Sequence, residues 1–137
     1  MIRQYQIDNA ERGILKARLA AALSADARIC FAYLHGSFLG DEPFHDIDAG
    51  IFLAPSVEKS STVALELAAR LTALAGLPVD VRILNMAPTS FLYHVLKGEL
   101  LLVRDEDTLA SVFESTVMRY LDMAPRLLQA TREAFGS

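Results

Sequence analysis

The chain has 137 residues, of which 53% are hydrophobic and 22% are charged. This length and composition predict one domain, residues 1–137, with an apolar core, and they exclude disorder as the main state. Lysine and arginine number 13 against 17 acidic residues, which gives a formal net charge of −4. Such an acidic chain lacks the basic footprint of a dedicated DNA or RNA binder, so we do not expect nucleic acid as a partner.

The sequence contains one cysteine, Cys30. A single thiol excludes an internal disulfide framework and a cysteine-rich zinc module. The N-terminal residues contain no apolar segment of the kind found in signal peptides, and no apolar run approaches the roughly 20 residues that span a bilayer. We therefore expect a cytoplasmic protein that does not use a membrane.

The first half of the chain predicts one helix and two strands. Asp8 or Asn9 can cap a helix that runs to about residue 25, because apolar residues recur within it at helical spacing. Residues 28–34 are aromatic and β-branched and predict a strand. Residues 46–54 predict a second strand. The loop between these strands is too short for a crossover helix, which favours an antiparallel pair.

The second half of the chain alternates helices and strands. Residues 57–75 predict a helix that Gly76 ends, and residues 79–85 predict a third strand. A short helix at residues 89–96, a fourth strand at residues 99–103 and a long final helix follow. This order predicts an α/β (α+β) domain, with a mixed sheet of about four strands, helices packed on one side and a long C-terminal helix.

Asp46 and Asp48 open the second predicted strand. Side chains alternate along a strand, so these two carboxylates lie on one face and repel each other unless a cation or a proton intervenes. Asp80 lies in the otherwise apolar third strand and would join them if the two strands are neighbours. Carboxylate oxygens at this spacing suit Mg²⁺. An isolated Asp-x-Asp is more often a solvated strand end, so the spacing alone leaves both interpretations open.

Gly36 and Ser37 follow the first predicted strand. Glycine lets the backbone approach a ligand closely, and backbone N–H groups together with a serine hydroxyl can donate to an anion. Between Asp41 and Asp48 the chain carries four acidic residues and no Lys or Arg. Such a segment would attract a nucleotide only with divalent cations bound.

The order of these motifs resembles the DNA polymerase beta-like nucleotidyltransferase superfamily in its minimal (MNT) form. The family pattern is a hydrophobic-Gly-Ser turn, a spacer, an Asp-hydrophobic-Asp motif and a third acidic residue on a later strand. The matching residues are Leu34-His35-Gly36-Ser37, Asp46-Ile47-Asp48 and Asp80. The resemblance covers roughly residues 10–105.

This resemblance implies a nucleotidyltransferase fold and transfer of a nucleoside monophosphate, first of all AMP from ATP, with the help of two Mg²⁺ ions. Asp46 and Asp48 would bridge the two ions. Asp80 would hold one of them and help to deprotonate the acceptor hydroxyl. Gly36 and Ser37 would hold the triphosphate. A pair of metal ions can activate the hydroxyl, align it and stabilise the departing pyrophosphate.

Minimal family members of this size resemble the MntA-type antitoxins that are encoded beside HEPN toxins. The resemblance therefore implies a protein adenylyltransferase that modifies a tyrosine of a HEPN toxin and silences it. Two alternatives stay open. One is a small-molecule nucleotidyltransferase of the aminoglycoside-modifying type, and the other is an inactive member that neutralises a toxin by contact alone.

Two basic side chains in the second half of the chain have interpretations of their own. Arg82 follows Asp80 by two residues on the same strand face, and we expect an ion pair between them in preference to a phosphate contact. His94 lies in the short helix, and we expect it on the helix surface.

The final predicted helix carries more apolar residues than one small sheet needs. This excess predicts a homo-oligomer or a partner interface. The residues concerned are Val112, Phe113, Val117, Leu121, Leu127 and Leu128.

Overall fold

A computed structural model describes residues 3–134 of the chain and, within them, the side chains of residues 3–123. The described residues form four α-helices, four β-strands and a 3-10 turn at Ser37–Leu39. The elements in chain order are α1 Asn9–Ser24, β1 Ile29–His35, β2 Ile47–Leu53, α2 Ser60–Ala75, β3 Val79–Ile83, α3 Thr89–Leu96, β4 Glu99–Val103 and α4 Glu106–Ala134.

Local sequence signals set several helix ends. Asp8 caps α1, because its carboxylate accepts a hydrogen bond from the Glu11 N–H at 2.7 Å. Gly76 ends α2 in the left-handed conformation at φ 71°, where glycine carries no steric penalty. Residue Lys59 is also left-handed, at φ 56°, so α2 begins at Ser60 and not at residue 57 as predicted.

The four strands form one mixed sheet in the order β3-β2-β1-β4. β1 pairs antiparallel with β2 and with β4, whereas β2 and β3 are parallel. The predicted antiparallel first pair is confirmed. The second and third strands are neighbours, which is the condition under which we expect Asp80 to join Asp46 and Asp48. β1 is buried along its whole length, as expected of an inner strand with covered faces.

The helices cover both faces of this sheet. On one face α1 and α2 bury a core that includes Leu34 and Leu67. On the other face α3 and α4 cover a smaller core that includes Phe31, Val95 and, partly buried, Val112. The α/β class and the mixed sheet are confirmed, but the prediction that helices pack on one side is wrong. β3 and β4 are opposite edges of the sheet, so their connection has to cross a face, and α1 and α2 already occupy the first one.

Helix α4 exposes part of its apolar surface. Phe113 is 45% exposed and Leu121 is 60% exposed. Leu127 and Leu128 lie outside the residues whose side chains are described. An interface on α4 stays a prediction. Among the helices of residues 3–134, α4 included, we find none with the length and apolar character needed to cross a bilayer.

Candidate functional site

A polar row crosses the sheet at the end of β1. In the strand pairing His35 of β1 lies opposite Asp48 of β2, and Asp48 lies opposite Asp80 of β3. Residues paired in this way share one face of the sheet. This face is the one that α3 and α4 cover further along, since Phe31 and Tyr33 of β1 belong to the smaller core.

Three carboxylates meet at this end of the row. Asp46 immediately precedes β2 and lies on the same face as Asp48. One carboxylate oxygen from each of Asp46, Asp48 and Asp80 lies within 4.8 Å of the other two. We call these three residues the aspartate triad. The β2–β3 pairing holds them together, and the Ile47 N–H extends that pairing by donating to the Pro78 carbonyl at 2.9 Å.

The members of the triad differ in exposure. Asp46 and Asp48 are half-buried. The Asp80 side chain is 48% exposed, although its strand neighbours Val79 and Val81 are buried. The apolar surroundings inferred from the sequence are therefore incomplete at Asp80, because β3 is an edge strand. One side of the triad is therefore open to solvent.

The pKa of the Asp48 carboxyl is raised to about 6, chiefly by burial and then by the negative charges of Asp46 and Asp80. The positive charges of Arg82 and His94 act in the opposite direction. Three acids at this separation favour a bound cation or proton. The donor set consists only of carboxylate oxygens, which are the ligands preferred by hard divalent ions such as Mg²⁺. The residues therefore fit such an ion.

Gly36 packs directly against the triad. Its φ is 82°, and a Cβ built on it would lie 2.5 Å from Oδ2 of Asp48. Both facts require glycine here. Ser37, the next residue, is exposed at the start of the 3-10 turn. Phe38 anchors that turn, because its ring is fully buried and packs edge-on against Phe44 at 5.1 Å.

The expected partner of Arg82 is present. Its Nε lies 3.6 Å from Oδ2 of Asp80, and its guanidinium carbon lies 5.6 Å from the ring centroid of Phe91 in α3. The prediction of an ion pair is confirmed. Arg82 thereby connects the triad to α3 on the open side of the site.

Two histidines that the sequence did not mark as site residues lie beside the triad. His35 is 6% exposed, and its ring packs edge-on against Phe91 at 5.6 Å and against His94 at 5.8 Å. His94 lies on the helix surface as predicted, but that surface faces the site. His35 could have been found from the register of β1 and β2, because it pairs with Asp48. The sequence around His94 gives no indication that it lies at the site, because the contact between α3 and β1 joins segments that are distant in sequence.

Comparison with known proteins identifies a family that matches this part of the chain. The sequence pattern of a family described as polymerase beta nucleotidyltransferase matches residues 18–107. This segment contains Gly36, Ser37 and the whole triad. No curated protein sequence matches the chain significantly.

Solved structures match over most of the chain. One is a chain from a complex of the tri-AMPylated HEPN toxin of Shewanella oneidensis with MNT antitoxin, at TM-score 0.64 and 21% identity, covering 90% of this chain and 94% of the other. A chain of the toxin–antitoxin MntA–HepT matches at TM-score 0.63 and 21% identity, over 90% and 94% of the two chains. A chain of a toxin–antitoxin structure with AMP-PNP matches at TM-score 0.60 and 24% identity, over 93% and 95%.

These structural likenesses establish a shared fold. The family pattern covers well over half of the chain, and its matched segment carries every residue of the triad and the Gly-Ser turn beside it. The chain therefore belongs to the polymerase beta nucleotidyltransferase family.

Proposed function

We propose that the protein is a Mg²⁺-dependent nucleotidyltransferase that moves AMP from ATP to a hydroxyl acceptor. The observation that carries this proposal is the aspartate triad. One oxygen from each of its three carboxylates lies within 4.8 Å of the other two, and Gly36 packs closely against Asp48. A structural role for such a cluster is disfavoured, because three like charges with one ion-pair partner among residues 3–123, Arg82, cost stability.

The proposed reaction is a displacement at the α-phosphorus of ATP. The acceptor oxygen forms a bond to that phosphorus, the bond to the oxygen that bridges the α- and β-phosphates breaks, and pyrophosphate leaves. Mg²⁺ ions, when bound, supply charge stabilisation for the acceptor oxygen and the leaving group. Asp46 and Asp48 would hold both ions, and Asp80 would hold one of them. Asp80 accepts the proton of the acceptor hydroxyl, while Gly36 and Ser37 bind the triphosphate.

The exposure of Asp80 supports a macromolecular acceptor. Asp80 is half exposed on an edge strand, so the hydroxyl of another protein can reach it. A groove of about 360 Å³ lies next to it, lined by Arg82, Ile83, Met86, Ala87, Pro88 and Phe91. Its apolar walls suit an aromatic side chain such as tyrosine.

We further propose that the acceptor is a tyrosine of a HEPN-type toxin and that the protein acts in the cytoplasm as its antitoxin. Support comes from the structural neighbours, whose complexes pair an MNT antitoxin with a HEPN toxin that is tri-AMPylated in one case. The exposed Phe113 and Leu121 of α4 offer apolar area for such a partner. A second copy of the chain on this surface remains the alternative occupant.

Transfer of label from ATP tests the proposal. The purified protein is incubated with Mg²⁺ and ATP labelled at the α-phosphate in an extract of the source cells, and the products are separated into protein and small molecules. We expect one labelled protein band carrying label on tyrosine. Asp46→Asn should reduce the labelling at least about 100-fold, because it removes a ligand of both ions. The same exchange at the exposed Asp41 is the matched control and should preserve labelling.

The other outcomes identify the other functions. Label in a small molecule that depends on Asp46 would replace the protein acceptor with a small-molecule acceptor of the aminoglycoside type. Label in neither fraction, with other nucleoside triphosphates also tested, would reject catalysis. Protection of cells from the toxin by Asp46→Asn as well as by the wild-type protein would then show an antitoxin that acts by contact.

A further inference from the structure

The segment after the Gly-Ser turn supplies no basic side chain of the lysine or arginine type. Residues 38–45 include Asp41 and Glu42, both exposed, and no Lys or Arg. A nucleoside triphosphate bound at Gly36 would bring several further negative charges next to the triad. Divalent ions held by the triad would neutralise only the phosphate closest to them. The far end of the triphosphate therefore needs cationic or N–H donors from another part of the fold.

A cavity of about 350 Å³ opens beside Gly36. Gly36 borders both the triad, through its contact with Asp48, and this cavity. The residues that line it are His35, Gly36, Leu39, His94, Lys97 and Gly98. A polyphosphate that extends from the triad past Gly36 would enter it. Besides His35 of β1, its wall contains two basic side chains, His94 and Lys97, from the last turn of α3 and the residue after it.

The turn after α3 is fixed against β1. A Cβ on Gly98 would lie 3.3 Å from the Cα of His35, so the two backbones are in direct contact. Lys97 precedes Gly98, and its Nζ lies 5.2 Å from the ring centroid of Tyr93. Tyr93 in turn stacks on Tyr120 of α4 at 3.7 Å. This stack restricts the Lys97 side chain near the cavity.

Two polar groups of the cavity wall have no ion-pair or hydrogen-bond partner in the described part of the chain. No carboxylate of residues 3–123 lies within ion-pair distance of Lys97. His35 is 6% exposed, and its Nε2 is buried with no hydrogen-bond partner among the described residues. Buried polar atoms normally have a partner. The unpaired Nε2 therefore points to a ligand or a water molecule in the cavity.

We propose that this cavity binds the β- and γ-phosphates of the donor nucleotide, with Lys97 as the principal positioning residue and His94 as a second donor. The inference rests on the proposed function, because it concerns the orientation of its donor substrate. It assigns the triphosphate end to the β1–α3 side of the triad and leaves the Asp80 side for the acceptor.

Equilibrium binding tests this inference without turnover. The probe is α,β-methylene-ATP with Mg²⁺, whose carbon bridge prevents transfer, and AMP is the comparison ligand; calorimetry measures both affinities. Lys97→Gln should weaken binding of the triphosphate analogue about tenfold, because a charge-assisted contact to phosphate is lost. It should change the affinity for AMP less than about twofold. Lys97→Arg should restore most of the affinity. His94→Gln should weaken binding of the analogue about threefold.

Lys59→Gln is the matched control, because Lys59 precedes α2 at the opposite end of β2 from the triad. It should bind the analogue as the wild-type protein does. Unchanged binding of the analogue by Lys97→Gln, or an equal loss of affinity for AMP, would overturn the assignment of the cavity while leaving the proposed function standing. Failure of the wild-type protein to bind any of these nucleotides would reject both.

Discussion

The two faces of the sheet differ most where β1 ends and β2 begins. Leu34, Ile47 and Val79 point to the face under α1 and α2 and belong to its core. On the opposite face, one position further along each strand, stand His35, Asp48 and Asp80. The same three strands thus provide apolar cohesion on one face and the triad on the other. A single-residue alternation separates the two roles, and substitutions on the two faces should have separable effects.

The apolar face should show the largest effect on stability. Leu67 of α2 is fully buried there, and Leu67→Ala should lower the free energy of unfolding by about 3 kcal/mol. Leu65 on the same helix is 75% exposed, and Leu65→Ala should change it by less than about 0.5 kcal/mol. Urea denaturation measures both. Similar losses for the two variants would show that α2 does not pack as described.

A substitution in the glycine turn should lower both stability and activity. Gly36→Ala places a Cβ at a positive φ and against the Asp48 carboxylate, so we expect a loss of about 2 kcal/mol and a strong loss of nucleotidyl transfer. Gly13 in α1 is the matched control, because a Cβ there meets nothing within 4 Å. Gly13→Ala should stabilise by about 0.5–1 kcal/mol. Full activity in Gly36→Ala would contradict the close approach of this turn to the substrate.

The triad itself should reduce stability when no cation is bound. The pKa of Asp48 is raised to about 6 in the folded protein from an ordinary value of 3.8. The folded state therefore binds more protons than the unfolded state between these values, and stability falls as pH rises from about 4 through about 6. Asp48→Asn should remove this loss and stabilise the protein by roughly 1–2 kcal/mol at pH 7 in the presence of a chelator.

Thermal or urea unfolding at several pH values measures this effect. The difference in the free energy of unfolding between Asp48→Asn and the wild-type protein should be small near pH 4, grow up to about pH 6 and then level off. Asp41→Asn, at an exposed carboxylate outside the triad, should show no such growth. Destabilisation by Asp48→Asn across the whole range would mean that the carboxylate stabilises the fold, contrary to the electrostatic account.

Local patterns were sufficient for much of the fold. The bounds of α3 and β4 agree with the prediction to the residue, because clear turn signals separate them. The shared face of Asp46 and Asp48 follows from strand alternation alone. Their contact with Asp80 follows once the second and third strands are neighbours, as a parallel pair joined by a helix commonly is.

The remaining features depend on contacts that are distant in sequence. Which face α3 covers is decided by the crossing from β3 to β4, and the sequence of α3 does not record it. For that reason His94 and Lys97 read as ordinary helix positions, although the fold places both beside Gly36. The exposure of Asp80 likewise follows from the position of β3 at the sheet edge, which strand composition did not reveal.

The most direct test of the account is whether the triad binds a divalent cation. Unfolding temperatures of the wild-type protein, Asp48→Asn and the control Asp41→Asn are compared as Mg²⁺ or Mn²⁺ is added to chelator-treated samples. A ligand that binds only the folded state stabilises it by about 2.7 kcal/mol at a hundredfold excess over its Kd. We predict that the added cation raises the unfolding temperature of the wild-type protein and of Asp41→Asn, and that it does not raise that of Asp48→Asn. Equal shifts in all three proteins, or no shift in the wild-type protein, would contradict the central claim.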